Sequence, residues 1–216
     1  MNSRPSIVPL FPLEKVLFPG MAMPLHVSDD RYKLLIEECL DDDKVFGILH
    51  GLDVQKPIVG TTARVEKVLN RYDDGRFDII VVGEQRFEIK SVIQTKAYLQ
   101  AIVSYFSDAK IGEFPRSSFD ELVRLYKLYV QRLGLKHDNS FHLDDLMDVL
   151  DDERELSYVI AQTIGLDIRD QQELLEKTDS VARVKLLTGV LHRHDVVYGL
   201  AQSLFEKRKE FDPMLN

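Results

Sequence analysis

Near the amino terminus the apolar residues come in short groups cut apart by prolines. Leu10-Phe11, Leu13, Val16-Leu17-Phe18 and Leu25 stand among Pro9, Pro12, Pro19-Gly20 and Pro24. Proline fixes φ and has no amide to donate, so neither a regular helix nor a central sheet strand is expected here. The spacing predicts short extended pieces joined by tight bends and packed onto later strands. Tyr32, Leu35, Ile36, Cys39 and Leu40 then recur at helical spacing, with Ser28 or Asp29 as the cap. Asp41-Asp42-Asp43 is expected to follow as a solvated turn, because carboxylates are unfavourable at the negative end of a helix. Val45 to Leu49 reads as the next strand. Ile58 to Leu69 and Arg76 to Ile89 are rich in β-branched residues and flank Asp73-Asp74-Gly75, a hairpin turn in which glycine supplies positive φ. Phe77, Ile79 and Val81 alternate with Asp78, Ile80 and Val82, and the extra apolar pair predicts burial on both faces. A further strand spans Ala97 to Tyr105.

The period then changes. Ser107 to Ser117, with Gly112 and Pro115, reads as a connector. Ser118-x-x-Glu121 has the spacing of a reciprocal helix cap. Phe119, Leu122, Val123, Tyr126, Tyr129, Val130 and Leu133 form one apolar stripe, with Gly134 as its stop. A polar connection over 135–143 and a helical turn or two from Asp144 to Leu150 follow. Asp152-x-x-Glu155 opens a helix that carries Leu156, Val159 and Ile160 and ends at Gly165. Ile168 to Glu176 is short. The last helix, about Asp179 to Lys209, aligns Val184, Leu187, Leu191, His194, Tyr198, Ala201 and Phe205. The expected organisation is α+β: a β-rich domain with one helix over 1–106, a linker over 107–116 and an α-helical bundle over 117–216.

Composition narrows the function classes. With 44% hydrophobic residues over 216 positions the chain can bury a core without disulfides, and its single cysteine, Cys39, suits a reducing compartment. No basic-then-apolar leader precedes Pro5, and no apolar run approaches the roughly 18 residues a membrane span needs, so a cytoplasmic, membrane-free location is expected. The net charge of −8 is concentrated in the second half: residues 1–105 hold 13 basic against 15 acidic side chains, and residues 106–216 hold 15 against 21. A nucleic-acid binder shows the opposite footprint.

Several motifs, taken in order, resemble the amino-terminal substrate-binding domain of the Lon protease family in its free-standing bacterial form. They are Leu10-Phe11-Pro12-Leu13, Val16-Leu17-Phe18-Pro19-Gly20, Pro24-Leu25, Arg31-Tyr32, Cys39-Leu40, Phe46-Gly47, Val59-Gly60-Thr61-Thr62-Ala63-Arg64-Val65 and Val82-Gly83-Glu84-Gln85-Arg86-Phe87. Gln171 to Glu176 ahead of Val181-Ala182-Arg183-Val184 continues the likeness. The resemblance implies a PUA-like mixed β-domain, a pseudo-barrel, followed by a helical bundle. It also implies a protein- or peptide-binding role with no ATPase or peptidase of its own. Two places depart from the family pattern: Val27-Ser28-Asp29 lacks the aromatic expected before Arg31-Tyr32, and the stretch from His50 to Pro57 is short.

The chemistry-bearing motifs point the same way. There is no G-x-x-x-x-G-K-[ST] run to hold phosphates, and no G-x-S-x-G, H-E-x-x-H or C-x-x-C. His192 and His194 are two apart on a helix and face apart. His137 and His142 flank a loop with Asp138, Asp144 and Asp145, read as solvated; His26 and His50 lack local partners. Asp144, Asp145, Asp148, Asp151 and Asp152 read as an acidic face. No catalytic residue, metal ligand or cofactor is therefore expected. The candidate protein-binding residues are Met21 and Met23, whose flexible side chains suit varied partners, and Tyr105, Phe106 and Phe114 near the connector. The expected partners are unfolded or client protein segments, or a protease or other protein complex. The rival readings are RNA binding through Arg64, Lys67, Arg71 and Arg76, a hydrolase with an unrecognised constellation, and a regulatory subunit of a stable complex.

Overall fold

The computed structural model describes residues 6–42, 44–51, 58–109, 116–133 and 153–211. The chain folds as two compact units, Met1–Ala109 with Gly165–Thr178 and Lys110–Ile164 with Asp179–Asn216. Among the described residues no helix is long and apolar enough to cross a membrane.

The first unit is built on six strands: β1 (Ile7–Leu13), β2 (Ala22–Val27), β3 (Phe46–His50), β4 (Val59–Arg71), β5 (Phe77–Ile93) and β6 (Gln100–Tyr105), with helix α1 (Asp30–Asp42) between β2 and β3. Their order is β2-β5-β4-β3-β1-β6, and β5 also pairs with β6, so five strands close into a ring while β2 lies outside it. The length of β5 makes this possible: its first part carries β2, Phe77 to Val82, and its second carries β6, Phe87 to Ile93. The expected hairpin is present, with Gly75 at φ +83° in the turn.

The prolines behave differently from expectation, because β1 is an interior strand. It manages this by changing partners. Ile7 to Pro9 pair antiparallel with β6, whereas Leu10 to Leu13 pair parallel with β3. Each proline thus has a registered neighbour on one side only, and its missing donor costs no ladder bond. Pro24 sits on β2, which pairs with β5 alone. The expected tight bend is also there. Gly20 takes φ +75°, the Met21 amide donates to the Phe18 carbonyl at 3.2 Å, and Pro19-Gly20 occupy the central positions of the turn. That turn lies on Gly83, where an added Cβ would come within 2.3 Å of the Phe18 carbonyl oxygen.

Both faces of β3 are buried. Phe46 and Ile48 join a core with Phe11, Ile79, Val81 and α1's Leu35, Ile36 and Cys39; Leu49 joins a second core with Val8, Leu10, Phe87 and Val103. Phe87 needs room between two strands. An added Cβ would stand 2.6 Å from its ring at Gly47 and 2.7 Å at Gly60. The α1 cap is Asp29, whose carboxylate accepts the Arg31 amide at 2.9 Å. At the other end a correction is needed: α1 runs through Asp41 and Asp42, which therefore lie in the last helical turn. Asp41 is exposed, so water screens its repulsion from the helix terminus, and the Lys44 amide closes the end on the Cys39 carbonyl at 3.0 Å.

The remaining helices are α2 (Arg116–Arg132), α3 (Glu153–Thr163), α4 (Ile168–Glu176) and α5 (Ser180–Phe211). The short α4, expected with the other helices, groups with the sheet. Asp167 caps it by accepting from the Arg169 and Asp170 amides, both at 2.9 Å. Arg86 on β5 holds it there, donating to the carbonyls of Leu175 at 3.0 Å and Lys177 at 2.6 Å, and to the Asp108 carboxylate. Residues 107–109, at the start of the expected connector, are fixed in the same place, with the Ala109 amide on the Thr178 carbonyl at 2.9 Å.

In the second unit α2 and α5 pack along one another and α3 packs on α5. α2 begins at Arg116, before the expected Ser118 cap, and Glu121 pairs with Arg124 at 2.8 Å. Asp179 caps α5 through the Val181 amide at 2.8 Å. The expected features at Gly112, Pro115 and Gly134, and the segment 135–152, lie outside the described residues.

Filling the space beneath Phe87 is the sharpest test of this packing. Gly60→Ala also drives its methyl to 2.5 Å from the Ile48 carbonyl oxygen, so denaturant unfolding should show a loss of about 1–3 kcal/mol. Gly189→Ala, whose nearest neighbour lies at 3.9 Å, should show none.

Candidate functional site

The residues singled out from sequence do not form a common surface. Met23 is a correction: the alternation of β2 turns Met23, Leu25 and Val27 inward and Ala22, Pro24 and His26 outward, leaving Met23 only 4% exposed in the core. Met21 is half-buried against that same core. Tyr105 packs on the second core. Phe106 is half-buried, with the Arg86 guanidinium 4.7 Å from its ring centre. Phe114 lies outside the described residues.

Three of the four residues of the rival basic patch lie against carboxylates, and the fourth, Lys67, is exposed on β4. Arg64 meets Glu84 at 3.0 Å and Glu66 at 3.5 Å, Arg71 meets Glu37 at 3.0 Å, and Arg76 meets Asp74 at 2.7 Å. Each carboxylate cancels charge that a phosphate would need.

A polar cluster that the sequence did not reveal gathers at the base of the hairpin turn. Asp78 accepts from Tyr72 Oη at 2.6 Å and Asn70 Nδ2 at 3.2 Å, and lies 2.7 Å from His26 Nδ1. These bonds hold its carboxyl down at about 2, Tyr72 contributing most. His26 has a partner after all, 52 residues away along the chain. The arrangement ties β2 and β4 to β5.

A concave apolar feature lies in the helical unit, between α2 and the middle of α5. It has a volume of about 270 Å³ and is lined by Leu125, Leu128 and Tyr129 from α2 and by Leu191, Val197 and Ala201 from α5. The heptad-like repeats of the two helices put these residues face to face. The groove lies where α2 ends. Its rim is polar and fixed: Arg132 donates to the Asp195 carboxylate and sits 4.7 Å from the Tyr198 ring centre, while Tyr129 and His194 meet edge to face at 5.4 Å. Drug-sized pockets run from about 300 Å³ upward, so this space suits one or two large apolar side chains. Tyr129, Leu133, Leu191, His194, Tyr198 and Ala201 belong to stripes read from the sequence as core, whereas Leu125, Leu128 and Val197 stood in neither stripe. The early stop of α2 was read from Gly134; what the sequence did not show is that, among the described residues, the two helices leave a concave space between them there.

His192 and His194 serve different neighbours, His192 lying 3.4 Å from Glu121 and His194 against Tyr129. His137, His142 and the acidic run from Asp144 to Asp152 lie outside the described residues.

Comparison with known proteins follows the same outline. The pattern of the ATP-dependent protease La (LON) substrate-binding domain matches residues 7–193. The Lon protease of Amoebophilus asiaticus is 29% identical over 215 residues, 95% of this chain and 26% of the relative; that of Anaeromyxobacter dehalogenans is 26% identical over 215 residues, 93% of this chain and 25% of the relative. The chain therefore spans about a quarter of the length of these relatives. Among solved structures, the amino-terminal domain of the Mycobacterium avium complex Lon protease aligns with TM-score 0.71 at 22% identity, covering 87% of this chain and 99% of that one. A Lon N-terminal domain protein from Xanthomonas campestris aligns with TM-score 0.63 at 23% identity, covering 85% and 97%. These two share the mixed α and β fold.

The hairpin cluster predicts an acid response. The Asp78 carboxyl, like that of Asp29 beside Arg31, is held near 2 against an ordinary 3.8. Both are depressed in the folded state, so their contribution is present above about pH 4 and lost as pH falls toward 2. Asp78→Asn should lower the thermal midpoint at neutral pH and make its fall between pH 4 and 2 shallower.

Proposed function

The chain belongs to the family of the ATP-dependent protease La (LON) substrate-binding domain, and from that premise we propose that it is a non-catalytic module that binds protein segments. The observation that carries this reading is the open apolar groove between α2 and α5. Apolar side chains of an unfolded or client polypeptide would enter it, one or two at a time. Arg132 and Asp195 would stay paired at its mouth, so no unmatched charge is buried on binding. The sequence supports this reading, holding no G-x-x-x-x-G-K-[ST], G-x-S-x-G or H-E-x-x-H run.

The closed ring of strands, in this reading, is a PUA-like pseudo-barrel, and α2, α3 and α5 belong to a carboxyl-terminal helical bundle. The ring supplies a rigid body and the helices supply contact. The protein acts in the cytosol, where the buried thiol of Cys39 stays reduced. RNA binding gains no support from Arg64, Arg71 and Arg76, each of which lies against a carboxylate.

A fluorescent, permanently unfolded polypeptide is the direct probe. Binding followed by anisotropy should weaken at least about tenfold in Leu128→Asp, which sets a charge in the groove. Arg71→Glu should bind as the wild type does. Unchanged binding in Leu128→Asp would contradict the proposal, as would hydrolysis of ATP or of the polypeptide by the purified protein alone.

A further inference from the structure

One side chain in the wall of the groove between α2 and α5 can change its charge near neutral pH. His194 lines the groove, its ring edge to face with Tyr129 of α2 and the ring centres 5.4 Å apart. One turn to either side on α5 stand Val190, Leu191, Val197 and Tyr198, none of them a carboxylate. The other ionisable side chains of the lining are Tyr129, Arg132, Asp195 and Tyr198. Tyrosine, arginine and aspartate ordinarily titrate outside the range of about pH 5–8, and histidine inside it.

The charges around this imidazole give a cation little support once water leaves. Next to the contact with Tyr129 the charged residues are Lys127 and Arg132 on α2 and Arg193 and Asp195 on α5. Asp195, the one carboxylate among them, is engaged by Arg132. The remaining acidic groups of α2, Asp120 and Glu121, stand about 12 Å or more along the axis before Tyr129. Glu121 already holds Arg124 at 2.8 Å and has His192 at 3.4 Å. α3 meets α5 at Arg183, whose Nε donates to Ser157 and whose guanidinium lies over Tyr158, about 16 Å along the helix from His194. A protonated His194 therefore depends on water, to which it is exposed. A client side chain that fills a space of about 270 Å³ beside it takes that water away, and desolvation disfavours the charged form.

We propose that His194 links client binding to proton uptake: the groove accepts an apolar side chain while this imidazole is neutral and releases it as the imidazole becomes charged. This rests on the reading of the groove as the client site. Linkage is reciprocal, so a client that enters at low pH expels the proton. A histidine titrating near pH 6.5 whose proton is excluded from the complex weakens binding about tenfold between about pH 7.5 and 5.5. His192 takes no part, because it lies outside the lining and beside Glu121.

The test uses the full chain and a fluorescent, permanently unfolded polypeptide that contains no histidine, followed by anisotropy from about pH 7.5 to 5.5. The wild type is expected to lose about tenfold in affinity across that range, with its circular dichroism unchanged. His194→Gln should flatten the profile. His194→Lys, charged throughout, should bind weakly at both ends. His192→Gln should keep the wild-type slope. Calorimetry at about pH 6 in two buffers of different ionisation enthalpy should show roughly three-quarters of a proton released per client bound, and none in His194→Gln. A flat wild-type profile would overturn the proposal, as would a slope that survives in His194→Gln. If Leu128→Asp weakens binding while the wild-type profile is flat, the proton linkage alone falls. If Leu128→Asp binds unchanged, the client site falls and the linkage with it.

Discussion

Arg86 is the point on which the sheet unit depends. It is 4% exposed and lies beside Phe87, which is fully buried. The two side chains leave β5 on opposite faces, as successive strand residues must. Phe87 fills the second core above Gly47 and Gly60. Arg86 gathers the carbonyls of Leu175 and Lys177 and the carboxylate of Asp108, segments separated from it by up to 91 residues of sequence. A guanidinium suits this task because its donors form a planar fork that satisfies several acceptors at once. Without the charge, Asp108 and two carbonyls would lie buried with fewer partners, a situation that typically costs about 3–5 kcal/mol for a broken buried pair. The sheet unit can therefore include residues 165–178, although the chain makes the long excursion from Lys110 to Ile164 in between.

That excursion and the chain from Asp179 onward build the helical unit, and its geometry determines what the unit can do. α2 and α5 carry matched apolar stripes, but α5 is 32 residues long and α2 only 17. Among the described residues the mismatch leaves a groove where α2 ends and exposed aliphatic side chains on α5 beyond it. The closed ring of strands has the opposite character. β2, the strand outside the ring, carries Pro24, which has no amide to donate, and β4 carries register shifts near Val65 and Val68 together with charged Arg64, Glu66, Lys67 and Arg71. Such features discourage strand addition. Recognition through the helices thus has a physical basis that recognition through sheet edges lacks.

Much of the fold was legible in the sequence where local chemistry decides conformation. Asp73-Asp74-Gly75 specified its hairpin, Asp29 and Asp179 their helix starts, and Pro19-Gly20 its turn. Each involves residues a few positions apart. The misses involve partners far apart in sequence. Prolines argue against an interior strand unless that strand changes neighbours halfway, and β1 does so at Leu10. The helical spacing of Ile168 to Glu176 gave no hint that Arg86 would hold this helix on the sheet. Met23 looked available because proline-rich segments are irregular, yet the alternation of β2 buries it. The groove was hidden for a related reason: Tyr129, Leu191 and Ala201 read as core, and the way α2 and α5 pack, with Leu125 and Leu128 from outside the stripe, decides that a concave space remains.

Hydrogen–deuterium exchange of the full chain, with and without a saturating unfolded polypeptide, addresses the central claim that clients are held by the helical groove. New protection is expected in residues 125–133 and 191–201, with the strands of the sheet unit unchanged. Protection confined to the strands, above all to β2 or β4, would contradict that claim.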